Sequence, residues 1–134
     1  MESYTITQEF VDHADDMWKT GGYRSRSNID LEFIEFFFRD KYGAKLVPGL
    51  KQIDFILDGE AYEAKHLLYK YPLRNHQWQK GYIKYYTFFA IKDPVKGRVF
   101  KAGDVVEFEL LGRKTYDEIT DLIYNNHIYK KDIV

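Results

Sequence analysis

The dipeptide Asp58-Gly59 restricts the folding of this chain more than any other short stretch. It separates two runs, residues 52–57 (QIDFIL) and 60–65 (EAYEAK), that carry the branched and aromatic residues of strands. An Asp-Gly pair between two such runs predicts a β-hairpin, because a two-residue turn of this kind needs positive φ at both central positions. The loop length also sets the register. Leu57 falls opposite Glu60, Ile56 opposite Ala61, Phe55 opposite Tyr62 and Asp54 opposite Glu63. Alternation then puts Asp54, Glu63 and Lys65 on one face with Gln52 and Ile56. Ile53, Phe55, Leu57, Tyr62 and Ala64 make the other, core-facing side.

Two carboxylates facing each other across a ladder repel unless something neutralises them. A hard divalent cation such as Mg²⁺ would do so, since it binds one or two carboxylates together with water and phosphate oxygens. Lys65 lies one step along the same face. There it would orient a metal-bound water, or stabilise negative charge developing at a phosphorus centre.

Asp54, eight intervening residues and then Glu63-Ala64-Lys65 resemble the D…(D/E)-x-K signature of the PD-(D/E)XK nuclease superfamily. That superfamily includes restriction enzymes, Holliday-junction resolvases and RecB-type nucleases. Ile53 stands where the family usually has proline. The preceding segment, Arg26-Ser27 through Leu31-Glu32 to Lys41-Tyr42-Gly43, is similar to the first helix of the small resolvases. That likeness implies a helix carboxylate at the metal site, Glu32, with Glu35 one turn away as the fallback. Gln79 and Tyr82 resemble the QxxY element that follows the lysine strand in RecB-type nucleases.

Composition bounds the class. The 134 residues suit one domain, and 45% apolar and 18% aromatic content is that of a globular chain. Cysteine is absent, which excludes disulfides and thiolate zinc sites. No apolar run reaches membrane-spanning length and no signal-peptide pattern opens the chain, so a cytoplasmic protein without membrane contact is expected. The net charge of −1 is low for a nucleic-acid protein, but a local basic patch is what meets phosphate. Arg24, Arg26 and the lysines and arginine of residues 65–84 supply such clusters. No P-loop, dinucleotide-binding glycine motif, HExxH or G-x-S-x-G occurs, so no nucleotide cofactor is expected.

Periodicity predicts a helix over residues 5–18, with Asp12, His13, Asp15 and Asp16 on a solvated acidic side. A second helix is expected over residues 28–42, started by Ser27 with Asp30 and ended by Gly43. A short strand at 44–47, a Pro48-Gly49 turn and the hairpin follow. Residues 73–80 read as a short polar helix carrying Trp78, and 83–91 as a central strand. Strands at 98–100 and 105–110 and a helix at 115–125, capped by Thr115 with Glu118, complete the pattern. The tail to Val134 reads as peripheral.

The resemblance implies an α/β (α+β) fold with a restriction-endonuclease-like core, a central mixed sheet flanked by helices. It makes residues 1–134 one nuclease-like domain with an N-terminal helix (5–18), a catalytic core (23–91) and C-terminal strands and helix (98–125). The implied activity is metal-dependent hydrolysis of DNA phosphodiesters, with junction resolution as one form. Asp54, Glu63, Glu32 and the carbonyl of Ala64 would hold Mg²⁺ or Mn²⁺, and Lys65 would position the nucleophile. Arg24, Arg26, Lys70, Arg74, Gln79 and Lys80 would contact the DNA backbone, with an affinity that falls as salt rises. The small size suggests a homodimer, each site cutting one strand. The alternative is a catalytically inactive nuclease-fold protein that binds nucleic acid or a protein partner.

Overall fold

The computed structural model describes residues 1–21, 25–47, 53–68, 70–72, 82–93, 99–123 and 127–134, with the backbone alone for 70–72. In chain order the elements are β1 (Glu2–Thr5), α1 (Gln8–Thr20), α2 (Arg26–Asp30), α3 (Phe33–Tyr42) and β2 (Lys45–Leu46). There follow β3 (Phe55–Leu57), β4 (Glu60–His66), β5 (Lys70–Pro72), β6 (Tyr85–Ile91) and β7 (Val105–Lys114). The last are α4 (Tyr116–Leu122), β8 (His127–Tyr129) and α5 (Lys130–Ile133). A six-stranded mixed sheet has the order β1-β7-β6-β4-β3-β2. β4 and β6 run parallel and their other neighbours antiparallel. β5 and β8 form a separate two-stranded sheet. The architecture is thus α/β with a mixed sheet. Among the described residues no helix is long and apolar enough to cross a membrane.

The hairpin forms in the expected register, with Leu57 opposite Glu60, Ile56 opposite Ala61 and Phe55 opposite Tyr62. Asp58 and Gly59 take φ of 52° and 78°, the paired positive values that such a turn requires. Phe55 and Tyr62 are buried in the first of two hydrophobic clusters, which also takes Phe10 of α1 and Phe33, Phe36, Phe37 and Phe38 of α3. Phe55 stacks between Phe38 (4.8 Å) and Tyr62 (5.2 Å). The second cluster joins Tyr86, Phe88 and Ala90 of β6 to Ile119, Ile128 and Ile133. In β6, Phe89 and Ile91 belong to the first cluster and Phe88 and Ala90 to the second. This strand is therefore covered on both faces, which accounts for its unbroken apolar run.

Several elements differ from the expectations drawn from periodicity. The N-terminal helix begins at Gln8 rather than residue 5 because Thr7 caps it, accepting from the Phe10 N–H at 3.1 Å. The residues before it pair with β7 as an edge strand. The expected helix 28–42 is two helices, and the cap of the first is Ser25, not Ser27. Asp30 cannot complete a capping box, because its buried carboxylate accepts from the Phe100 N–H at 2.9 Å. Tight bonds at Leu31 and Glu32, such as Glu32 N–H to the Ile29 carbonyl at 2.9 Å, separate the two helices. Gly43 ends α3 in the left-handed conformation, as expected.

β7 runs ten residues to Lys114, past the expected end at Leu110. A register shift places Leu111 as an extra residue between Leu110 and Gly112, so the strand continues while its alternation breaks. Residues 99–100 lie in no strand. Thr115 and Glu118 form the expected reciprocal cap, but α4 ends at Leu122. The tail is not peripheral: Ile128 and Ile133 are buried in the second cluster. The Pro48-Gly49 turn, the 73–80 helix with Trp78 and the Asn125-Asn126 stop lie outside the described residues.

Candidate active site

At its open end the hairpin stops being regular. Strand pairing ends at Phe55 and Tyr62. Beyond it the Asp54 N–H still donates to the Tyr62 carbonyl at 2.9 Å. The Ala64 N–H, however, donates to the Asp54 carboxylate at 2.8 Å. A side chain thus takes the donor that a continued ladder would have used. Alternation breaks here too, because Ile53, expected on the face of Phe55, packs against the second cluster instead.

A cleft of about 470 Å³ opens at this break. Asp54, Glu63, Ala64, Lys65 and His66 line it from the hairpin, and Glu32 and Glu35 from the start of α3. The Lys65 Nζ lies 3.2 Å from Glu63 Oε1, with only 12% and 21% of the two side chains exposed. Partial burial matters because it weakens solvent screening of these charges.

The electrostatics are those of crowded, desolvated acids. Burial is the main cause that raises the Asp54 pKa to about 7, against the opposing bond from Ala64; the Glu63 charge adds to the rise. Glu35 is pushed up to about 10, first by burial and then by the charges of Asp54 and Glu32. Glu63 is raised by burial, with Lys65 pulling the other way. The Glu32 Oε2 atom is buried without a hydrogen-bond partner. The His13 Nε2 stands 3.6 Å from it, beyond hydrogen-bonding range.

These groups fit a divalent cation. Buried acids whose pKa values are raised by desolvation, beside a carboxylate oxygen left unsatisfied, are relieved when positive charge enters. Asp54 and Glu63, with Glu32 and the Ala64 carbonyl, are the donors available. Among the described residues, no three acid or histidine side chains are drawn together as a complete metal cage. Magnesium sites keep waters and take substrate oxygens alongside one or two carboxylates.

The structure therefore brings Asp54, Glu63, Ala64, Lys65 and Glu32 to one cleft, and Glu35 with them. Arg26 is not among its lining residues. Its guanidinium lies 2.5 Å from Asp15 and 3.4 Å from Asp30, bracing α2 against α1. Asp15 is thus part of that brace rather than of a purely solvated side. Arg24, Arg74, Gln79, Lys80 and the Lys70 side chain lie outside the described residues.

Sequence reasoning passed over His66. It ends β4 and lines the cleft, and its Nε2 accepts from the Ile91 N–H at 3.2 Å. Burial lowers its pKa. Alternation places it on the face of Tyr62 and Ala64 rather than that of Lys65, so the assigned register gave no signal that it reaches the cleft. No family model, curated protein or solved structure matches the chain.

Proposed function

We propose that the chain is a metal-dependent DNA endonuclease of the PD-(D/E)XK type, hydrolysing phosphodiester bonds, with a restriction-endonuclease-like core. One observation carries the reading: Asp54, Glu63, Lys65 and a helix carboxylate meet in one cleft at the end of an Asp-Gly hairpin. Helix α3, followed by β2 and the β3–β4 hairpin within a mixed sheet, supports it.

When bound, Mg²⁺ or Mn²⁺ supplies a Lewis acid and a water of lowered pKa. Asp54 and Glu63, with the Ala64 carbonyl, would hold the cation, and Glu32 would reach it directly or through water. The Ala64 N–H fixes the Asp54 carboxylate against β4. Lys65, held by Glu63, places a positive charge where the phosphorus centre gains negative charge. Burial and the charges of Asp54 and Glu32 favour the protonated form of Glu35, which limits the charge it sets against an approaching phosphate before the cation binds. The excess of acids over Lys65 in the cleft makes DNA approach unfavourable until the cation is present.

The test is incubation of wild type, Asp54→Asn and Lys65→Ala with junction, duplex, flap and single-stranded DNA in Mg²⁺, Mn²⁺ or EDTA. Metal-dependent cutting by the wild type, abolished in both variants, is expected. The amide oxygen that Asp54→Asn introduces can still accept from Ala64, so the fold should persist. Full activity in either variant sinks the site assignment. Metal binding must displace the proton that Asp54 holds up to about pH 7. Calorimetric Mg²⁺ affinity should therefore rise with pH through that value, and a pH-independent affinity would contradict the assignment.

A further inference from the structure

His66 offers the cleft an uncharged imidazole donor of fixed direction. Its Nε2 accepts the Ile91 N–H at 3.2 Å, so that nitrogen carries no hydrogen. The neutral ring must then carry its hydrogen on Nδ1. The ring is held as well as polarised. It lies 5.2 Å from the Phe89 ring at an interplanar angle of 38°, and both residues line the cleft. Leu67, the next residue, bonds through its N–H to the Phe89 carbonyl at 2.8 Å, fixing the backbone on that side.

Two further facts locate the Nδ1–H. Among the described residues, the His66 side chain makes no hydrogen bond beyond that with Ile91. Yet the sole buried, unpartnered side-chain polar atom among them is Glu32 Oε2. An Nδ1–H that is unpartnered without being sealed off is open to solvent, and His66 lines the cleft.

We infer that His66 is a substrate-contacting residue whose Nδ1–H donates to a non-bridging oxygen of the phosphodiester, while its Nε2 anchors the ring to β6. The inference rests on the nuclease reading and adds to it a donor that carries no charge. Such a donor orients the phosphate without adding to the salt dependence of binding, which counts cations alone.

Two substitutions separate the ring's two nitrogens. His66→Gln keeps an acceptor at the ε position for Ile91 and removes the δ donor. His66→Asn keeps an amide donor at the δ position and is too short to reach Ile91. Steady-state cleavage of duplex DNA in Mg²⁺ and thermal unfolding are measured for both. Histidine ¹⁵N NMR of the DNA-free wild type reads the tautomer. The expected result is an Nδ1–H tautomer and a His66→Gln variant that unfolds near the wild-type temperature but loses about tenfold in kcat/KM, the scale of one hydrogen bond. His66→Asn should unfold earlier while keeping more activity per folded molecule. An Nε2–H tautomer, or wild-type kcat/KM in His66→Gln, overturns the role of His66 alone. A wild type that cuts no DNA with any metal overturns the nuclease reading, and the phosphodiester contact falls with it.

Discussion

The two ends of the β3–β4 hairpin obey different rules. At the turn end, Asp58 and Gly59 adopt the conformations their chemistry favours, and Phe55 and Tyr62 pair regularly above an aromatic core. At the open end the ladder breaks, a carboxylate replaces a main-chain acceptor, and several acids are partly buried together. One end lowers the free energy of the fold. The other raises it, because desolvated acids disfavour the ionised state that unfolding would release. The difference teaches where stability and chemistry reside in this molecule: next to each other, on the same two strands, separated by a few residues.

The largest expected effect breaks the stable end. Phe55→Ala empties a fully buried position between two stacked rings and should cost about 4 kcal/mol in urea unfolding. A loss below about 1 kcal/mol would mean that the aromatic stack carries little of the stability. Next comes the strained end. Asp54 and Glu35 hold protons in the folded state that they release in the unfolded state, between pH 3.8 and about 7 and between pH 4.5 and about 10 respectively. The folded state thus binds more protons across those windows, and stability should fall as pH rises through them. Glu35→Gln should flatten that slope and stabilise the protein at pH 8 by on the order of 2 kcal/mol. Equal slopes for variant and wild type would show Glu35 to be ionised in the fold.

Smaller effects return to the turn. Gly59→Ala forces a side chain into φ of 78° and should cost about 1 kcal/mol while leaving the cleft chemistry untouched. Asp58→Asn keeps a residue type suited to the positive φ of 52° at that position and should change stability by less than about 0.5 kcal/mol. If either turn variant altered metal affinity more than stability, the two ends would be mechanically linked rather than independent.

The same contrast decides what could be read from the chain. The turn, the register of Phe55 with Tyr62, the Gly43 stop and the Thr115 cap are local, since each depends on residues within a few positions. Asp54, Glu63 and Lys65 were expected together from an extension of that register, although the ladder stops at Phe55 and Tyr62, and Glu32 was expected from a likeness in the preceding segment. What escaped was long-range. Asp30 left its expected cap because Phe100, seventy residues away, takes its carboxylate. The second half of β7 was hidden by an extra residue that breaks alternation. The tail was expected to be peripheral, yet Ile128 and Ile133 reach a core assembled from β6 and α4. His66 went unnoticed because its partner, the Ile91 N–H, belongs to another strand.

The pairing of β8 with β5 carries a consequence for the order of synthesis. β5 lies on the connection from β4, which bears Glu63 and Lys65, to β6, and its strand partner is residues 127–129. A ribosome releases β5 long before those residues emerge, and likewise β1 long before its partner β7. The β3–β4 hairpin can therefore pair while both of these strands wait. The hairpin that carries the cleft acids can thus form before β5, on the segment leading away from it, finds its partner.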